Sequence, residues 1–136
     1  MSVVFADTFY WIAFTNILDA AHEKAKALAL KRTTILTTEE VLIEYLNYFA
    51  AWGENLRRKA LTNTRNIMAN KSVKVVPQTP ASFLNGLELY GARLDKGYSL
   101  TDCISMQTMR AEGITDALTN DVHFEQEGFR ALFRDS

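Results

Sequence analysis

The sequence predicts an α/β fold built on a parallel sheet covered on both faces. Two observations carry this. Short apolar or β-branched runs alternate with longer helical patterns from one end to the other. The first run, VVFAD, is apolar almost throughout, as in a strand buried on both sides. Sheets of this class bind ligands at the carboxyl ends of their strands, near the point where strand order reverses. Residues at strand ends are therefore the first place to look for chemistry.

Each element has its own signal. Residues 3–7 form the first strand and end on Asp7. TFYWIAFTN follows as a helix with Trp11 and Phe14 turned to a core. Asp19 is placed to cap a second helix, DAAHEKAKALALKR, rich in Ala, Leu and Lys. TTILTT, residues 33–38, is β-branched and reads as the second strand. Thr37 with Glu40 is a capping-box pattern opening the helix EVLIEYLNYFAAW. Gly53 interrupts it, and ENLRRKALTNTRNIMAN gives the next helix. SVKVVP is the third strand. Thr79-Pro80 supplies an N-cap and a first-turn proline for ASFLNGLELYGARL. DKGYS makes a turn. Ser99 with Asp102 caps another helix, which Gly113 ends. ITDALT is the fourth strand, an acidic turn follows, and EGFRALFRD offers a fifth strand.

Composition narrows the class. The 136 residues suit a single domain, 1–136, with one core. Hydrophobic residues at 48% and charged residues at 23% argue against disorder. Fifteen basic and 16 acidic side chains leave a net charge of -1, so nucleic-acid binding would need a local patch. The one cysteine, Cys103, excludes an internal disulfide and a Cys-rich zinc site, and is expected to pack in the core. No apolar run approaches the roughly 20 residues of a membrane helix, and MSVVFADTFY lacks a signal-peptide pattern. A cytoplasmic chain with no membrane association is the expectation.

Four acids stand out. Asp7 ends the first strand, Glu44 lies in the apolar helix VLIEYLNYF, Asp102 opens the helix LTDCISM, and Asp121 follows the fourth strand. Taken singly, Asp102 is a helix cap, Asp121 a turn residue and Glu44 the margin of an apolar face. Asp7 has no such simple reading, because a carboxylate ending a buried strand is costly unless paired or coordinated. Together the four can reach one edge of the sheet. Converging carboxylates repel one another, and a cation relieves that repulsion. Oxygen donors without a Cys or His cluster favour Mg2+ or Mn2+, ions suited to phosphodiester hydrolysis. Asp116 competes with Asp121 as the fourth acid; it lies within the strand pattern and Asp121 at its end.

The stretches ADT (6–8), VLIEYLN (41–47), SLTDCIS (99–105) and ALTNDVHF (117–124) resemble, in order and spacing, the acidic motifs of PIN domains, and the resemblance runs from residue 3 to about 129. It implies a three-layer α/β/α fold around a parallel sheet of four to five strands, and a Mg2+- or Mn2+-dependent ribonuclease. Asp7, Glu44, Asp102 and Asp121 would bind the metal, accompanied by Thr8 and Thr119. Many bacterial members are VapC-type toxins restrained by a cognate antitoxin, and homodimers are a family habit. Phe9, where many members carry a small or polar residue, would narrow the pocket.

Arg57, Arg58, Lys59 and Arg65 lie on one helix, with Lys71 and Lys74 soon after, and form either an RNA contact or a solvated face. His22 reads as a surface or cap residue and His123 as a turn residue near enough to Asp121 to meet a phosphate. Trp11, Tyr45, Tyr48, Phe49 and Trp52 read as mostly core. The apolar helix holding four of them could also serve a dimer or antitoxin contact. Two other classes share an acidic pocket. A PIN-like module with a weak site would bind RNA or protein without cleaving, which the full set of four acids disfavours. A phosphatase with an aspartyl nucleophile would want D-x-D after the first strand, where the chain has Asp7, Thr8, Phe9.

Overall fold

The computed structural model describes residues 2–29, 31 and 34–135. Among them run β1 (Val3–Ala6), α1 (Thr8–Thr15), α2 (His22–Ala29), β2 (Thr34–Thr38), α3 (Glu39–Tyr48), α4 (Glu54–Ala69) and β3 (Val73–Val76). α5 (Pro80–Ala92), α6 (Leu100–Glu112), β4 (Asp116–Leu118), α7 (Val122–Gln126) and β5 (Arg130–Ala131) follow, with a last 3-10 turn over Leu132–Arg134. Leu30 and Arg32 of the expected second helix, and Thr33, the expected first residue of the second strand, lie outside the described residues.

All four strand pairings are parallel, in the order β3-β2-β1-β4-β5. β1 is central, with Phe5 level with Leu36 on one side and Ala117 on the other. Chain order runs outward from β1 through β2 to β3, then returns to β4 and β5, so the direction reverses between β1 and β4. Right-handed crossovers then set α1 to α4 on one face of the sheet and α5 to α7 on the other. This is a three-layer α/β/α arrangement. The core is aromatic and sulfur-rich, with Phe5, Tyr10, Tyr45, Phe49, Met106, Met109 and Phe124 fully buried.

Local signals explain most boundaries. Thr79 and Ser82 make a reciprocal capping box with Pro80 at the first helical position. Ser99 and Asp102 make another, and Gly113 closes α6 in the left-handed conformation, φ 69°. Gly86 is where α5 and α6 touch: a Cβ there would stand 2.3 Å from Cγ1 of Ile104 and 3.3 Å from its backbone.

Some expectations are corrected. Thr38, not Thr37, caps α3, its hydroxyl accepting from Val41 N–H at 3.0 Å. Thr37 is taken by the tertiary structure instead: it donates to the Ala6 carbonyl and accepts from Trp11 Nε1. Glu40 accepts from Ser82 Oγ, tying α3 to α5. α2 begins at His22, because Asp19 spends its side chain on Ala21 N–H one turn earlier. His22 is no mere surface group; its Nδ1 lies 2.8 Å from the Ala13 carbonyl and joins α2 to α1. Trp11, Tyr45 and Phe49 are buried as expected, but Phe14, Tyr48 and Trp52 are 39–46% exposed, Tyr48 and Trp52 stacking on each other. The acidic turn after β4 continues into the short helix α7, and Cys103 is buried.

Candidate active site

The carboxyl ends of β1 and β4 meet where strand order reverses. Asp7 is the residue after β1 and the N-cap of α1, with only 6% of its surface exposed. Burying a carboxylate there needs compensation. Thr119, immediately after β4 and wholly buried, donates its hydroxyl to Asp7 Oδ2 at 2.8 Å. The same hydroxyl oxygen accepts Asp121 N–H at 3.2 Å. One threonine thus links the strand-one acid to the backbone of the next acidic segment. Asp121 in turn caps α7, accepting His123 N–H at 2.9 Å.

Asp102 reaches the same place from α6. Its Oδ2 accepts Ser99 N–H at 3.2 Å, so capping and site geometry use one side chain. Asp102 Oδ2 lies 4.0 Å from His123 Nδ1, and Asp121 Oδ1 lies 3.3 Å from it. Glu44, half-buried on α3, is close enough to repel both Asp7 and Asp102.

The electrostatics follow from this crowding. Burial lifts the Asp7 carboxyl to about 7, and the Asp102 and Glu44 charges push it the same way; the Thr119 hydroxyl and Thr8 backbone N–H act against them. Asp102 is raised too, first by burial and then by Asp121 and Glu44, with the Ser99 hydrogen bonds opposing. The Thr8 hydroxyl and His123 Nδ1 are buried without a hydrogen-bond partner in the protein. Two carboxyls raised by burial and by neighbouring charges, beside a hydroxyl and a ring nitrogen without hydrogen-bond partners, form a ligand set that fits a hard divalent cation.

The structure therefore brings Asp7, Thr119, Asp121 and Asp102 into one connected group, with Glu44 in electrostatic reach and Thr8 beside Asp7. Asp116 stands apart at the amino end of β4, paired across to Arg130. Phe9 packs its ring edge-on against Phe133, centroids 5.0 Å apart.

The basic residues are dispersed. At about 100° per residue, Arg57, Arg58 and Arg65 share one side of α4 and Lys59 points away. Arg58 is ion-paired with Glu54, and Lys74 with Glu112.

Two residues of this region carried no local signal. Glu127, 4% exposed at its side chain, receives Arg93, Arg110 and the Tyr98 hydroxyl at 2.7, 2.7 and 2.9 Å. These bonds hold its carboxyl at about 2 against the cost of burial. Tyr98, so anchored, lays its ring against the His123 imidazole, centroids 5.1 Å apart. Their partners lie 17 to 34 positions away along the chain, beyond any periodicity.

Comparison with known proteins agrees with this geometry. Residues 4–129 match the PIN domain family. The 23S rRNA-specific endonuclease VapC20 of Mycobacterium tuberculosis, in strains CDC 1551 and H37Rv, is 30% identical over 131 residues, covering 93% of this chain and 95% of that protein. The crystal structure of that species' VapC20, described as a Sarcin-Ricin loop cleaving toxin, superposes with a TM-score of 0.81 at 31% identity, over 94% of this chain and 96% of that one. VapBC2 from Rickettsia felis, solved with a DNA fragment from its promoter, shares the fold at a TM-score of 0.65 and 17% identity, over 95% and 96% of the two chains. With strand-end acids gathered at the β1–β4 reversal and a family match spanning almost its whole length, the chain belongs to the PIN domain family.

Proposed function

We propose that this chain is a metal-dependent endoribonuclease, the toxin of a toxin-antitoxin pair. The observation that carries the reading is the bridge from Asp7 through Thr119 to Asp121, with the Asp102 carboxyl raised beside it. Similarity to the endonuclease VapC20 supports it.

In this reading Asp7, Glu44, Asp102 and Asp121 hold Mg2+ or Mn2+. When bound, such an ion supplies charge neutralisation at the scissile phosphate and a water acidic enough to attack it. The chain's own work is positioning. Thr119 fixes the rotamer of Asp7. Ser99 fixes Asp102, and the turn at His123 fixes Asp121. Burial of Asp7 keeps bulk water from screening its field. A carboxylate oxygen of this group turned away from the ion would accept the proton released in hydrolysis.

Arg57, Arg58 and Arg65 are proposed to steady the RNA backbone, Arg58 in competition with Glu54. The toxin role implies action in the cytoplasm, a protein antitoxin as partner and a homodimeric state. Exposed apolar residues on α5, Phe83, Leu84, Leu87 and Tyr90, suit a protein contact. Among the described residues no helix is long and apolar enough to cross a membrane.

The test is cleavage of ribosomal RNA by the purified chain in Mn2+ or Mg2+, with EDTA and D7N as controls. Cleavage unaffected by both EDTA and D7N would overturn the assignment. Intact RNA in every arm, with binding retained, would favour the non-cleaving module instead.

A further inference from the structure

We propose that His123 is a metal ligand, acting through Nδ1, and that the site is therefore a mixed nitrogen and oxygen site that favours Mn2+ over Mg2+. The proposal rests on the metal-dependent reading above and extends its ligand set beyond the four acids.

The geometry is specific. Asp102, Asp121 and His123 each present a donor atom, and the three atoms lie within 4.8 Å of one another. Nδ1 stands 3.3 Å from Asp121 Oδ1 and 4.0 Å from Asp102 Oδ2, yet it is buried and makes no hydrogen bond to either. A buried ring nitrogen without a partner needs an explanation. A lone pair directed at a cation between two carboxylates supplies one.

The ring is also held from behind. Tyr98, itself 4% exposed and bonded to Glu127, packs against the imidazole. Glu127 is locked by Arg93 and Arg110. Ring packing and the clamp behind it thus hold the plane of the imidazole. The backbone N–H of His123 bonds to Asp121 Oδ1, which fixes the spacing of the two ligands; that oxygen retains a second lone pair for a cation.

The chemistry then sets a preference. An all-oxygen group suits Mg2+ and Mn2+ alike, whereas an imidazole nitrogen shifts affinity toward ions later in the first transition row. Mn2+ binds such a nitrogen more readily than Mg2+ does.

Pulsed EPR of the full chain with MnCl2 and no RNA tests this directly. The chain has two histidines, and His22 has its Nδ1 engaged at the Ala13 carbonyl. The expected result is an imidazole nitrogen coupling to bound Mn2+ that changes on 15N-histidine labelling, persists in H22Q and disappears in H123Q. H123Q should also bind Mn2+ about tenfold more weakly, with Mg2+ affinity, read by competition, changed less than twofold. Bound Mn2+ that is weakened by D102N but shows no imidazole coupling overturns the His123 assignment and leaves the acidic site standing. A chain that binds no Mn2+ at all overturns both. The wild-type spectrum decides the matter even if H123Q folds poorly.

Discussion

Thr119 Oγ1 donates to Asp7 Oδ2 at 2.8 Å across 112 residues of sequence, and the same oxygen accepts the Asp121 backbone N–H. This hydroxyl registers two acidic segments against each other at the sheet edge. T119V keeps the shape and removes both bonds. RNA cleavage should fall about 10- to 100-fold, as when support for a metal ligand is lost, while T119S should retain most activity. Equal rates for T119V and wild type would leave the bridge without a role.

Asp7 sets a pH dependence in the metal-free protein. Its carboxyl is lifted from 3.8 to about 7, so the folded state holds its proton more tightly than the unfolded chain does. Stability therefore falls as pH rises from about 4 to 7 and stays low above that. In EDTA at pH 8, D7N should be more stable than wild type by on the order of 3 kcal/mol, and near equal to it at pH 3. Added Mn2+ should raise the melting temperature of wild type far more than that of D7N. Denaturation at both pH values measures each arm.

The fourth acid can be separated from its rival. D121N should reduce cleavage by at least about tenfold. D116N should leave it within about twofold, because Asp116 faces Arg130 at the other end of β4. Parallel RNA cleavage assays on the two variants decide between them, and the reverse ranking would move the site.

Glu127 anchors Tyr98 and two arginines. Its carboxyl is held at about 2, below the ordinary 4.5. That stabilisation is complete above pH 4.5 and is lost as pH falls toward 2. E127Q should lower unfolding free energy by about 1–2 kcal/mol at pH 7, discounted because both arginines are partly in solvent. The gap should close near pH 2, as chemical denaturation across that range would show.

Gly86 has no room for a side chain against Ile104. G86V should cost about 2–3 kcal/mol and loosen the α5–α6 contact, giving a lower melting temperature with no direct effect on the acids. A neutral result would mean that the helices move apart freely.

Much of this protein is written locally. The strand and helix alternation, the Thr79-Pro80 start and the Ser99-Asp102 box depend on neighbours within one turn, so the residues alone reveal them. The acids were visible for the same reason: Asp7 and Asp121 flank strands, and Asp102 opens a helix. Tertiary structure decided what those residues meet. Thr37 lost its capping role to Thr38 because Ala6 and Trp11, far off in sequence, offered it better partners. α7, five residues long, is too short for a periodic signal. Thr119 on Asp7 exists only once parallel pairing sets β1 beside β4, and Tyr98 on His123 and on Glu127 only once the segment before α6 packs against α7. Periodicity assigns a residue to a face, but the partner across that face is fixed by chain-distant packing, and there the site acquires its chemistry.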